Sequence, residues 1–195
     1  EHFKGTSSVG IFSVGVSLAE ILKELPLALG LVLFSRSANW QHGNIEESLH
    51  KTTLLSRLVF FSMLVFSGAW AAIVYLLIPA FYGINFIDSV TITWILLPGI
   101  ALLAVFLVLN SFMAGQGKSY LSIFAFLPAL VGNLVLCIIF IPVYDYYGAA
   151  ASATISYAIG TLIFMVVFSK VYGTRVRDLF ILRKSDLEFL RAKFT

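Results

Sequence analysis

A chain of 195 residues that is 59% apolar and only 12% charged, with a mean hydropathy of +0.96, lacks the polar residues needed to cover a soluble domain of its size. Its net charge of +3 and pI near 9.0 do not point to nucleic acid, because the basic residues gather in loops and in the tail. A single cysteine, Cys137, excludes an internal disulfide and leaves no Cys/His spacing suited to zinc.

The apolar residues form five runs, each long enough to cross a hydrocarbon core of about 30 Å. The first extends from Val9 to Phe34 and carries Glu20, Lys23, Glu24 and Pro26 in its middle. Those central charges are unlike a cleavable signal peptide, and the opening Glu1-His2-Phe3-Lys4 reads as the start of a fragment. Residues 35 to 52 form a polar loop expected to hold a short helical piece. The second span runs from about Thr53 to Ile78, with Arg57 placed to snorkel at its start and Pro79 marking its end. The third covers about Val90 to Ala114, is expected to kink at Pro98-Gly99, and ends in the turn Gly115-Gln116-Gly117-Lys118. The fourth covers Ser119 to Ile141. The fifth runs from about Tyr147 to Ser169 and opens on Gly148-Ala149-Ala150-Ala151, small residues that let helices approach closely in lipid.

From Arg175 to Thr195 basic and apolar residues alternate. Ser185 and Glu188 fit a capping box, with Leu187, Leu190 and Phe194 on one face, so the tail reads as an interfacial helix or as a partner-binding segment. The expectation is an all-α, polytopic transmembrane bundle of about five spanning helices over residues 1–173, followed by a basic amphipathic tail over 174–195. Eleven Lys and Arg residues fall on one side of such a bundle, Lys4 alone falls on the other, and Lys23 lies inside the membrane. The positive-inside rule then puts the N-terminal end outside and the tail in the cytoplasm.

A charge near the bilayer centre costs roughly 2.5 to 3.5 kcal/mol, so three in one span call for a reason. Glu20, Lys23 and Glu24 stand at i, i+3 and i+4, which on an α-helix is one face, turned toward protein or water. Pro26 leaves the Leu22 carbonyl without its helical donor beside them. Two readings stand side by side. In one, Lys23 neutralises the carboxylates and the cluster joins this span to a neighbour. In the other, the trio lines a water-accessible cavity where Lys23 meets a phosphate and a glutamate binds a cation or proton. Asn110 and Asn133 read as interhelical hydrogen-bonding residues or as cavity lining, and Thr154 is a further candidate whose hydroxyl can also bond its own helix. His42 and His50 are loop residues. No metal ligands, nucleophile or phosphate-binding loop can be recognised, so no cofactor and no enzymatic activity are expected.

Local patterns add a family. Val9-Gly10-Ile11-Phe12-Ser13 with Leu18-Ala19-Glu20, then Leu25-Pro26-Leu27-Ala28-Leu29-Gly30 and Leu33-Phe34-Ser35-Arg36, resembles the first helix of the C-terminal region of polysaccharide flippases. These belong to the superfamily of multidrug, oligosaccharidyl-lipid and polysaccharide exporters. The resemblance continues through Phe81-Tyr82-Gly83, Leu97-Pro98-Gly99, Asn110 to Lys118, Asn133-Leu134-Val135-Leu136, Ile141-Pro142 and Gly148-Ala149-Ala150 with Ala153-Thr154-Ile155-Ser156-Tyr157. It implies two six-helix lobes around a central cavity, working by alternating access. This chain would hold most of the C-terminal lobe, in partnership with an N-terminal lobe of the same protein. The implied substrate is a lipid-linked oligosaccharide for surface polysaccharide assembly, moved across the cell membrane. Rival expectations are a cation-coupled multidrug exporter of the same superfamily and a membrane assembly subunit with no transport cycle. Two positions depart from the family pattern. Position 23 is usually apolar or aromatic, and one turn after Asn133 the lipid II flippases carry a carboxylate where this chain has Cys137.

Overall fold

The computed structural model describes residues 6–39 and 45–180. Regular structure among them is helical throughout: α1 (Thr6–Glu20), α2 (Glu24–Asn39), α3 (Ile45–Tyr82), α4 (Asp88–Gly115), α5 (Ile123–Tyr172) and α6 (Arg177–Phe180). Three stretches are long and apolar enough to cross a membrane, Glu46–Tyr82, Ile84–Gly115 and Ser119–Tyr172. The tail helix expected around Ser185 and Glu188 lies outside the described residues, as does His42.

The central helix is α4, whose apolar stretch is 67% buried, against 22% for α3 and 6% for α5. Its neighbours keep a fixed register with it. Ser89 Oγ donates to the Ile11 carbonyl at 2.7 Å, Thr93 Oγ1 to the Gly15 carbonyl at 3.0 Å, and Gln116 Nε2 to the Ser37 carbonyl at 2.7 Å. These partners are 78, 78 and 79 residues apart, so α1 and α2 run parallel to α4 from end to end. Glycine makes this approach possible: a Cβ on Gly15 would lie 2.7 Å from Ile92 Cγ2, and one on Gly30 would lie 2.5 Å from Ser111 Oγ. On the other side of α4, Tyr146 donates to Asp88 Oδ2 at 2.9 Å and Thr154 Oγ1 to the Ile95 carbonyl at 2.6 Å, separations of 58 and 59. Phe164 and Phe168 continue that register onto Phe106 and Phe112. The opposite direction belongs to α3, where Ile78 clusters with Val90, Trp94 Nε1 donates to the Ala71 carbonyl, and Val59 joins Ala104 in the core.

One residue divides α5. Asp145, at φ 54° and ψ −133°, reverses the chain, and the arms 123–144 and 146–172 lie antiparallel. Gly148 backs onto the Phe140 carbonyl, where a Cβ would come within 2.4 Å, and Gly160 backs onto Ala129 Cβ at 3.1 Å. Five helical runs therefore alternate in direction around α4. Arg36, Lys51, Lys118, Lys170, Arg175 and Arg177 lie toward the end where α2 finishes, while Asp88 and Asp145 occupy the other end.

The first run differs from a continuous helix over Val9 to Phe34. Helix extends from Thr6 to Asn39, but it winds as a 3-10 turn over Ile21–Lys23. Pro26 supplies the reason: placed in the first turn of α2, it needs no helical donor bond of its own, and the preceding turn tightens instead of kinking. Neither α1 nor α2 alone, at 15 and 16 residues, has the length of a full span.

Over the polar loop expected at residues 35 to 52, the described residues are helical. Hydroxyls in it bond back to their own backbone, with Ser35 Oγ on the Val32 carbonyl, Ser37 Oγ on the Phe34 carbonyl and Thr52 Oγ1 on the Ser48 carbonyl. Glu46 and Glu47 favour the amino end of α3, and Lys51 pairs with Glu47 one turn later. Pro79 sits inside α3, which ends three residues later at Tyr82, just before Gly83, whose φ of 85° suits glycine. Pro98 lies within an unbroken α4.

Arg57, expected to snorkel, is instead 3% exposed, with Nε donating to the Asp178 carbonyl. The expected tail begins where Gly173 (φ 69°) ends α5, yet its first residues fold back. Leu179 is fully buried against Phe112, Phe164 and Phe168.

Candidate functional site

A 3-10 turn has 3.0 residues per turn, so residues i and i+3 eclipse while i+4 swings off the face. That geometry separates the trio expected on one α-helical face. Lys23 Nζ pairs with a carboxylate oxygen of Glu20, at side-chain exposures of 22% and 45%. Glu24 is exposed and makes no ion pair among the described residues.

Lys23 also lines a cavity of about 540 Å³ bounded by α2, α4 and both arms of α5. Carried along the register with α4, position 23 lies level with residues 101–102, the midpoint of that helix. The wall is largely apolar, with Leu27, Leu103, Phe106, Ala129 and Leu130 among its residues. Asn133 and Thr161 add polar groups from opposite arms of α5, joined by Ser156 and Tyr157. Among the described residues no carboxylate lines the cavity. Asn133 Oδ1 accepts only a long contact of 3.7 Å from Cys137 Sγ one turn on, whereas Ser156 Oγ is committed to the Ser152 carbonyl at 2.7 Å. Thr161 is 1% exposed and its Oγ1 has no hydrogen-bond partner among the described residues.

The sequence candidates thus divide into three groups. Lys23 and Asn133 meet in one cavity; Glu20 holds Lys23 from outside its wall; Glu24 stands apart. Asn110 accepts from Ser122 Oγ and ties the 3-10 turn Ser119–Ser122 to α4. Thr154 bonds α4 at Ile95, beside the carbonyl that Pro98 leaves without a helical donor, and a Cβ on Gly99 would lie 2.9 Å from Thr154 Cα. Both act between helices, away from the cavity.

Tyr157 and Thr161 were not singled out in the sequence. The signal was spacing: Ala153, Tyr157, Gly160 and Thr161 recur at helical intervals, opposite Ala125, Ala129 and Asn133 on the fourth run. Among the described residues no three His, Cys, Asp or Glu side chains come together as a metal site. The chain matches no protein-family model, no curated protein and no solved structure.

Proposed function

We propose that this chain is most of one lobe of a membrane transporter that moves a lipid-linked oligosaccharide across the membrane by alternating access. The observation that carries this reading is Lys23, an ammonium on the wall of a largely apolar cavity level with the middle of the central helix. A cation held at that depth is costly unless it serves something that passes through or binds there. The residue patterns shared with polysaccharide flippases support the same substrate class.

The register supports five crossings, of which α3 supplies one. At 28 residues, α4 is about 42 Å long, which exceeds the ~30 Å hydrocarbon core. The α1–α2 pair accompanies it along its whole length, so it crosses wherever α4 crosses. The two arms of α5 add one crossing each. The basic end faces the cytoplasm, by the positive-inside rule. Exposed side chains such as Val65, Leu76, Ile138 and Val143 suit lipid or the facing lobe.

One observation favours a second reading, a membrane assembly subunit: Lys23 is already paired with Glu20, as a packing device would be. Translocation of a fluorescent lipid-linked oligosaccharide by the full-length protein in vesicles tests the first. Lys23→Ala is expected to impair it, and unchanged turnover at equal protein level removes Lys23 from the mechanism. A cysteine at position 20 or 23 that reacts with reagents from neither side of the membrane favours the assembly subunit.

A further inference from the structure

We infer that Glu20 is a built-in competitor for Lys23, and that the cavity binds the anionic head of an amphiphile when that head displaces the Glu20 carboxylate from the ammonium. This rests on the reading of the cavity as a substrate site.

Three features carry it. First, the pair is asymmetric: Lys23 lines the cavity and is the less exposed partner, while Glu20 lies outside the wall and is the more open. An incoming phosphate or carboxylate oxygen can therefore take the place of a Glu20 oxygen without leaving Lys23 uncovered, and a lysine stem has the rotatable bonds to follow it. Second, Thr161 lines the same cavity from another helix and its buried Oγ1 has no hydrogen-bond partner among the described residues, and Asn133 brings an amide with only a weak thiol contact. A hydroxyl and an amide beside an ammonium suit an oxygen-rich anion. Third, the remaining wall is largely apolar and, among the described residues, carries no carboxylate, which disfavours a metal ion and favours a ligand with a hydrocarbon portion.

The test uses the full-length protein in nanodiscs of zwitterionic lipid and measures equilibrium binding of radiolabelled dodecyl phosphate, with dodecanol and inorganic phosphate as competitors. Wild type is expected to bind dodecyl phosphate saturably. Lys23→Gln is expected to weaken binding by about tenfold or more, and Lys23→Arg to restore most of it. Glu20→Gln is expected to tighten binding by about threefold or more, since the competitor is gone. Binding that ignores Lys23→Gln overturns the inference. So does a Glu20→Gln protein that binds as weakly as Lys23→Gln, because the pair would then act as a structural unit. Competition by inorganic phosphate as strong as by unlabelled dodecyl phosphate overturns the amphiphile and assigns a free anion; competition by dodecanol of equal strength overturns the role of charge. Binding and translocation are separate readouts: Lys23-dependent binding without oligosaccharide flipping unseats the flippase alone.

Discussion

Thr154 Oγ1 donates to the Ile95 carbonyl at 2.6 Å, one turn from where Gly99 brings the α4 backbone against Thr154 Cα. Contact and hydrogen bond together fix α5 on the central helix. Gly99→Ala would place its Cβ 2.9 Å from a backbone atom that cannot rotate away, and a loss of about 1 to 3 kcal/mol is expected, read as a lower melting temperature in detergent. Thr154→Val keeps the shape and removes the bond, for a smaller loss of about 0.6 kcal/mol. Gly68→Ala, which meets nothing within 4 Å inside α3, serves as the control and should hold or raise the melting temperature.

Buried Arg57 holds the segment after α5 through the Asp178 carbonyl. Arg57→Met should loosen that segment while the bundle stays folded. Trypsin cleavage after Arg175 and Arg177 is expected to quicken by about tenfold, in line with a lost charged hydrogen bond. Equal cleavage rates in the two proteins would show that Leu179 burial alone holds the segment.

Asp145 occupies a backbone region that glycine reaches readily and other residues reach at a cost of about 1 to 3 kcal/mol. Asp145→Gly, relieved of that cost, should fold at least as stably as the parent, and Asp145→Val, which adds a β-branch to a cost that the aspartate already bears, should fold less stably. A marked drop in the glycine variant's melting temperature would mean that the aspartate side chain, more than the backbone turn, sets the reversal.

The polar candidates should separate by readout. Asn110→Ala removes the acceptor of Ser122 Oγ and is expected to lower thermal stability without changing substrate affinity. Asn133→Ala, whose partner is one long sulfur contact, should do the reverse. Melting curves and binding isotherms on the same two preparations check this, and parallel effects in both would merge the two roles.

Hydropathy made most of the helical runs legible, because lipid-length apolar segments leave few alternatives. Where reading failed, the cause was local. Ser35, Ser37 and Thr52 look like loop residues until their hydroxyls are seen to bond their own helix. Arg57 resembled any basic residue near a helix end, and its partner lies 121 residues away. The expected face of Glu20, Lys23 and Glu24 assumed α-helical winding, which Pro26 converts to a 3-10 turn just ahead of it. Lys23 and Asn133 stand out in the sequence as polar groups within apolar runs, but their shared cavity depends on the reversal at Asp145, which composition does not reveal.

The fixed registers of α1–α2 and of residues 146–172 with α4 also have an electrical consequence. Three helical runs point the same way and only two oppose them, so the backbone dipoles do not cancel. Their carbonyl ends converge where Arg36, Lys118 and Lys170 stand, and their amide ends converge beside Asp88 and Asp145. Side-chain charge thus offsets the field of the aligned peptide groups at both ends of the bundle.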